Sequence, residues 1–331
     1  MMWIGSSHGP DTPALGHDGR RRRGMTTWLI THPACLEHDT GPGHPESIAR
    51  LQTILTALQS STFEFLIREP APRAEVEQLN RVHDPDYVRD ILARIPEQGQ
   101  AFIDSDTVVC PATGEAALRA AGAVCHAVDA VVGGQAQNAF CAVRPPGHHA
   151  EPNQAMGFCF FNNIAVGAAH AIAAHGLERV AIMDFDVHHG NGTQTIAERN
   201  PKMYYLSTHQ APLFPGTGDP SETGQGNIRN ATLEDGDGSE MFRFQFEERI
   251  LPELHRYKPQ LVMISAGFDA HRSDPLATLR LDETDFAWAT RELVAIARKY
   301  CDGKVVSALE GGYSLNAVGR CARAHVEALM T

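Results

Sequence analysis

The chain has no C-x-x-C pair, no excess of basic residues, no apolar run of membrane-spanning length and no internal repeat, and each absence narrows what it can be. Its seven cysteines, Cys35, Cys110, Cys125, Cys141, Cys159, Cys301 and Cys321, are scattered and odd in number. That pattern excludes a disulfide-stapled scaffold and a thiolate zinc knuckle. Reduced, buried thiols in a cytoplasmic protein are the expectation. Lys and Arg number 28 against 40 Asp and Glu, a formal net charge of -12. A nucleic-acid surface needs clustered cations, so direct nucleic-acid binding is not expected, whereas cationic ligands are compatible. No stretch of about 20 apolar residues exists to cross a membrane. The segment to Gly24 carries Arg20 to Arg23 with no apolar run behind it, so it reads as neither signal peptide nor anchor. Residues 1–24 are expected to be a disordered extension, with Met25 a second candidate start.

What is present is a large apolar inventory, 43% hydrophobic against 21% charged, enough for one sizeable core. No linker-like run divides residues 25–331, which predicts a single domain. Short apolar runs at 27–31, 139–143, 180–183, 203–206, 261–265 and 304–309 read as buried strands. Helical patterns lie between them at 46–59, 114–132, 163–175, 239–257 and 284–300. Alternation of this kind predicts an α/β fold, a mostly parallel sheet covered on both faces. Chemically suggestive residues follow the strands, and in such sheets the ligand crevice lies outside the strands' carboxyl ends, so these loops are expected to converge.

Three segments carry the chemistry: Arg144 to His149, Asp184 to Asn191, and Ala266 to Asp269. Asp186 and His188 are two apart, so on an extended strand end they point to one side, and Asp269 arrives from another strand to complete a three-ligand set. Three protein ligands leave a coordination position for water, the pattern of a catalytic zinc rather than a structural one. Pro145, Pro146 and Gly147 fix a turn that holds the imidazoles of His148 and His149 at a set angle for proton transfer. Asp184, on the face shared with Asp186, is placed to accept a hydrogen bond from His148. Tyr313 follows a Gly-Gly turn that allows close approach of a phenol to a polarised carbonyl. Gly157-Phe158 and Phe214 to Gly218 set an aromatic on each of two glycine-containing loops, a poor place to bury one. His189 and His271 flank the ligands and read as structural.

This ordered set resembles the zinc-dependent histone deacetylase family, within the arginase-deacetylase fold. The likeness runs from about Thr31 to the C-terminal helix and also includes His44-Pro45-Glu46, Gly157 to Asn163 and Leu309 to Tyr313. It implies one catalytic zinc on Asp186, His188 and Asp269, with His149 as general base and acid, His148 as its electrostatic partner and Tyr313 on the oxyanion. Phe158 and Phe214 would line a tunnel around an acyl-lysine stem, the Gly157 carbonyl would accept from the substrate amide, and a structural potassium would use Asp184, Ser207 and nearby carbonyls. Asn191 stands where class I members have an aspartate, pointing to the class II-like and bacterial branch. Tyr313 is retained, which predicts real turnover. Leu276, at the position where polyamine-selective relatives carry a glutamate, favours acylated lysines of proteins or peptides over acetylpolyamines. Asp104 or Asp106 would replace the rim aspartate near Val109. An acetylpolyamine amidohydrolase, an arginase-like binuclear manganese hydrolase and a non-catalytic acyl-lysine binder are the rival readings. Asn191 and His271 stand where the manganese site would need carboxylates. The oligomeric state, a homo-oligomer included, is open.

Overall fold

The computed structural model describes residues 26–331; the expectations about the first 24 residues and a start at Met25 fall outside them. The chain runs β1 Thr27–Thr31, α1 Ile48–Ala57, β2 Ile67–Pro70, α2 Val76–Leu79, α3 Pro85–Ala93, β3 Ala101–Phe102, β4 Val108–Val109 and α4 Thr113–Val132. It continues with β5 Asn138–Cys141, α5 Asn163–His175, β6 Val180–Asp184, α6 Asn191–Glu198, β7 Met203–Gln210 and β8 Ile228–Leu233. Helix α7 Ser239–Gln245 passes through one π-helical segment, Phe246–Ile250, into α8 Leu251–Tyr257, followed by β9 Leu261–Ala266, α9 Glu283–Cys301, β10 Val305–Leu309 and α10 Leu315–Leu329.

Eight strands form one parallel sheet in the order β2-β1-β5-β10-β9-β6-β7-β8. The central strands are buried along their whole length, which is why they appear in the sequence as continuous apolar runs. Strands β2 and β8 are the sheet edges. Their sequences, IREP and IRNATL, carry charge, amide and proline, as edges that must not recruit further strands do. Helix α4 packs against α5, and α9 against α10 and α1 through α10. All seven cysteines are buried and free. No described helix is long and apolar enough to cross a membrane.

The order puts the carboxyl ends of β5, β10, β9, β6 and β7 side by side. In register, Asp184 at the end of β6 pairs with Ser265 of β9 on one side and Ser207 of β7 on the other. The loops carrying His148, Asp186, Asp269 and Tyr313 therefore leave the sheet together.

Candidate metal centre

Asp186, His188 and Asp269 converge: one ligand atom from each lies within 4.8 Å of the other two. His188 turns Nδ1 towards both carboxylates, 3.0 Å from Asp186 Oδ1 and 3.2 Å from Asp269 Oδ2. Both aspartates are fully buried. Asp269 Oδ1 accepts from the Val187 N–H, and Asp186 Oδ2 accepts from the Gly311 N–H at 2.8 Å, while Asp269 Oδ2 receives no hydrogen bond. A buried carboxylate oxygen without a donor is costly unless something positive meets it. The backbone around it is hollowed: a Cβ on Gly267 would fall 2.0 Å from Asp186 Oδ2, and one on Gly311 2.0 Å from Asp269 Oδ2. Burial alone would lower the pKa of His188, yet the facing carboxylates of Asp186 and Asp269 raise it to about 10. The donor set of two carboxylates and one imidazole thus draws a cation, and it fits a zinc ion.

The paired histidines sit beside these ligands, ring centroids 4.0 Å apart. Their surroundings drive them in opposite directions. His148 Nδ1 lies 3.0 Å from Asp184 Oδ2; burial opposes the charge, but Asp186 and Asp184 raise its pKa well above the ordinary histidine value. His149 is pushed well below that value by burial and by the positive fields of His148 and His188. Its Nδ1 is bound to Asn191 Oδ1 at 2.8 Å, and the Asn191 amide donates onward to Glu151 Oε1. Two neighbouring titratable groups split this way have separable roles, one held charged and one held neutral.

Tyr313 is pinned by its turn. Arg50, fully buried, donates to the carbonyls of Gly312 and Glu310 at 2.6 and 2.5 Å, and its guanidinium carbon lies 4.8 Å from the Tyr313 ring centroid. Glu46, also fully buried, pairs with Arg50 at 2.9 Å and with Arg144. Burial would raise the Glu46 pKa, but the two guanidiniums hold it far below the usual carboxylate range. Arg144 also donates to the carbonyls of Cys35 and His38. The His-Pro-Glu segment, expected to begin a helix, precedes α1 and supplies this buried anion. Burial raises the Tyr313 pKa well above the ordinary phenol value. The hydroxyl therefore keeps its proton near neutrality. Glu310, named in the sequence only as part of a segment, accepts from the N–H groups of Gly147 and His148 and from Ser265 Oγ. That ties the end of β10 to the histidine-bearing turn.

Phe214 lies over the site, ring centroid 5.1 Å from His149 and 6.3 Å from His188, and is 42% exposed. Phe158 packs 4.8 Å from His44 and 5.9 Å from Tyr313. Gly157 and Phe158 both have left-handed backbone, φ 56 and 69. The strain of a phenylalanine there is the kind found at functional loops. The Gly157 carbonyl accepts from Cys159 Sγ at 3.3 Å. Leu276 is 36% exposed on the loop after Asp269. Asp104 Oδ1 is spent on the backbone N–H groups of Asp106 and Thr107. Asp106 instead accepts from Thr107 Oγ1, whose oxygen takes the Phe158 N–H. Ser207 Oγ contacts His209 Nδ1 at 2.9 Å. His189 points away, to Thr217 and Gln194.

Among the described residues a second His and Asp group exists, at Asp129, His170 and His175. Arg81, which can only donate, sits 2.8 Å from His170 Nδ1. The His170 proton is thereby placed on Nε2, facing Asp129 Oδ1 at 2.7 Å, so the group is a hydrogen-bonded clasp between α4 and α5.

Set beside known proteins, the histone deacetylase domain matches residues 44–329. A probable deacetylase of Archaeoglobus fulgidus is 40% identical over 299 residues, covering 88% of this chain and 82% of the relative. A histone deacetylase-like amidohydrolase of Pseudomonas aeruginosa is 38% identical over 320 residues, covering 89% and 83%. The crystal structure of the HDA15 HD domain superposes with a TM-score of 0.87 at 34% identity, over 92% of this chain and 88% of that one.

Proposed function

The chain belongs to the histone deacetylase family and is a hydrolase of that deacetylase-like type, and from this we propose that it removes acetyl or related acyl groups from the side-chain amine of acyl-lysine in proteins or peptides. The observation that carries the reading is the opposed pair of histidines beside a buried ligand set with an unmatched carboxylate oxygen.

Asp186, His188 and Asp269 would hold one zinc ion per chain, which when bound supplies Lewis-acid polarisation of the acyl oxygen and lowers the pKa of water. His149, neutral and held through Nδ1 by Asn191, presents Nε2 as the base that takes a proton from the attacking water. His148, charged and anchored on Asp184, keeps its neighbour from binding a proton prematurely. Tyr313 keeps its phenolic proton and donates it as a hydrogen bond to the oxyanion on the tetrahedral carbon. His149 then returns its proton to the departing lysine amine. Phe158 and Phe214 flank the aliphatic stem. A structural potassium would be held by Asp184 and Ser207, neighbours across the β6–β7 register, together with backbone carbonyls. Leu276 offers no charge to a cationic polyamine, which favours acyl-lysine.

The test is a chelator-stripped, zinc-reloaded preparation given acetyl-, butyryl- and trifluoroacetyl-lysine peptides beside acetylspermidine. Release of free lysine amine, dependent on zinc, is expected to dominate. Faster turnover of acetylspermidine would assign the polyamine substrate instead, and no amide hydrolysis at all would leave only a binding protein.

A further inference from the structure

We propose that Asp274 is a positioning residue for Tyr313, an inference that rests on the oxyanion role given to that phenol above. Gly311 and Gly312 leave the turn before Tyr313 without an intrinsic direction, and Gly312 adopts φ 115. The phenol can be aimed only if the peptide groups around it are pinned from outside. Arg50 holds the carbonyls of residues 310 and 312, and Asp186 holds the N–H of Gly311. The next two N–H groups that are pinned belong to Asp274: its Oδ2 accepts from Tyr313 at 2.7 Å and from Ser314 at 3.2 Å.

Only one of these bonds serves the following helix. Helix α10 begins at Leu315 with Ser314 as its N-cap, so the Ser314 N–H is an orphan donor of the helix start, whereas the Tyr313 N–H precedes the helix and its bond to Asp274 serves the turn alone. The other carboxylate oxygen, Oδ1, accepts from Leu276 at 3.0 Å. Asp274 is 8% exposed and lies on the loop that leaves Asp269. It therefore ties the loop of a metal ligand, the rim residue Leu276 and the phenol-bearing turn to one carboxylate. Charge-assisted bonds to backbone N–H groups are stiff, directional tethers.

The experiment is a double-mutant cycle on zinc-loaded enzyme with an acetyl-lysine peptide: D274A and D274N, each alone and combined with Y313F. D274A is expected to lower kcat about 10- to 100-fold, as removal of an outer support typically does, with KM and zinc content unchanged. D274N keeps an acceptor oxygen and is expected to recover part of the loss. In the Y313F background, D274A is expected to cost nothing further. A D274A loss of equal factor in both backgrounds, or wild-type activity in D274A, would overturn the assignment while leaving Tyr313 in place. Full activity in Y313F alone would instead remove the oxyanion role and the positioning proposal with it. If D274A does not fold, the D274N cycle decides; if neither folds, Asp274 is structural and the assignment falls.

Discussion

Substitution of Gly157 by alanine separates the site's geometry from the general cost of strained backbone. A Cβ at that position would lie 2.6 Å from His149 Cδ2 and 3.1 Å from Phe214 Cε1. To restore an ordinary contact of 3.4 Å the imidazole must retreat by about 0.8 Å. A displacement of about 1 Å at a reacting group costs on the order of 100-fold in rate, so kcat/KM should fall about 10- to 100-fold. The left-handed φ of 56 adds about 1 kcal/mol of strain for alanine, about 2 °C in Tm for a chain of this size. Gly176 is the control. It closes α5 with φ 67, and its Cβ would meet nothing within 4 Å. Gly176→Ala should therefore show a similar thermal shift by calorimetry and unchanged kinetics on an acetyl-lysine peptide. Equal activity in the two variants would refute the placement of Gly157 against the His149 ring.

Asn191→Asp puts a charge 2.8 Å from His149 Nδ1; a carboxylate there favours imidazolium, so the acid limb of the pH–rate profile should move to higher pH, and an unmoved limb would detach Asn191 from the base. Glu46→Gln leaves two buried guanidiniums without their anion, and denaturant unfolding should show a loss of about 3–5 kcal/mol. Burial lowers the pKa of His325 and His209 to about 3 and of His83 to about 4. The folded state then binds fewer protons than the unfolded one, so stability holds above about pH 6.5 and falls as the pH drops from there towards 4. Each such histidine contributes about 1.4 kcal/mol per pH unit in that window. Denaturation midpoints flat from pH 7 to 4.5 would contradict this.

The central strands were legible because both faces of each are buried, which writes β6 and β9 as uninterrupted apolar runs. The edges were not: IREP and IRNATL carry charged and polar residues that solvent or flanking elements receive. Helix α6 was missed because its first turn, Asn191-Gly192, is built for the site rather than for helix propensity; a Cβ at Gly192 would strike the Ala150 carbonyl oxygen at 2.2 Å. The convergence of Asp186, His188 and Asp269 with Asp184 and the histidine pair was legible because all lie at or beyond the carboxyl ends of β6, β9 and β5, where neighbouring parallel strands bring their loops together. The outer supports carry no such local signal. Arg50 reaches a carbonyl 262 residues away, and Asp274 grips N–H groups about 40 residues on. Contacts to backbone impose no pattern on the partner's side chain, so spacing cannot reveal them. Asp104 shows the converse, a well-placed carboxylate consumed by its own turn.

The account depends most on one divalent ion at the carboxyl ends of β6 and β9. Diffraction from zinc-loaded crystals on either side of the zinc absorption edge measures this directly. One anomalous peak per chain is predicted, at ligand distances of about 2.0–2.2 Å from Asp186, His188 Nδ1 and Asp269. No peak there, or a pair of strong peaks about 3.5 Å apart bridged by these carboxylates, would contradict it.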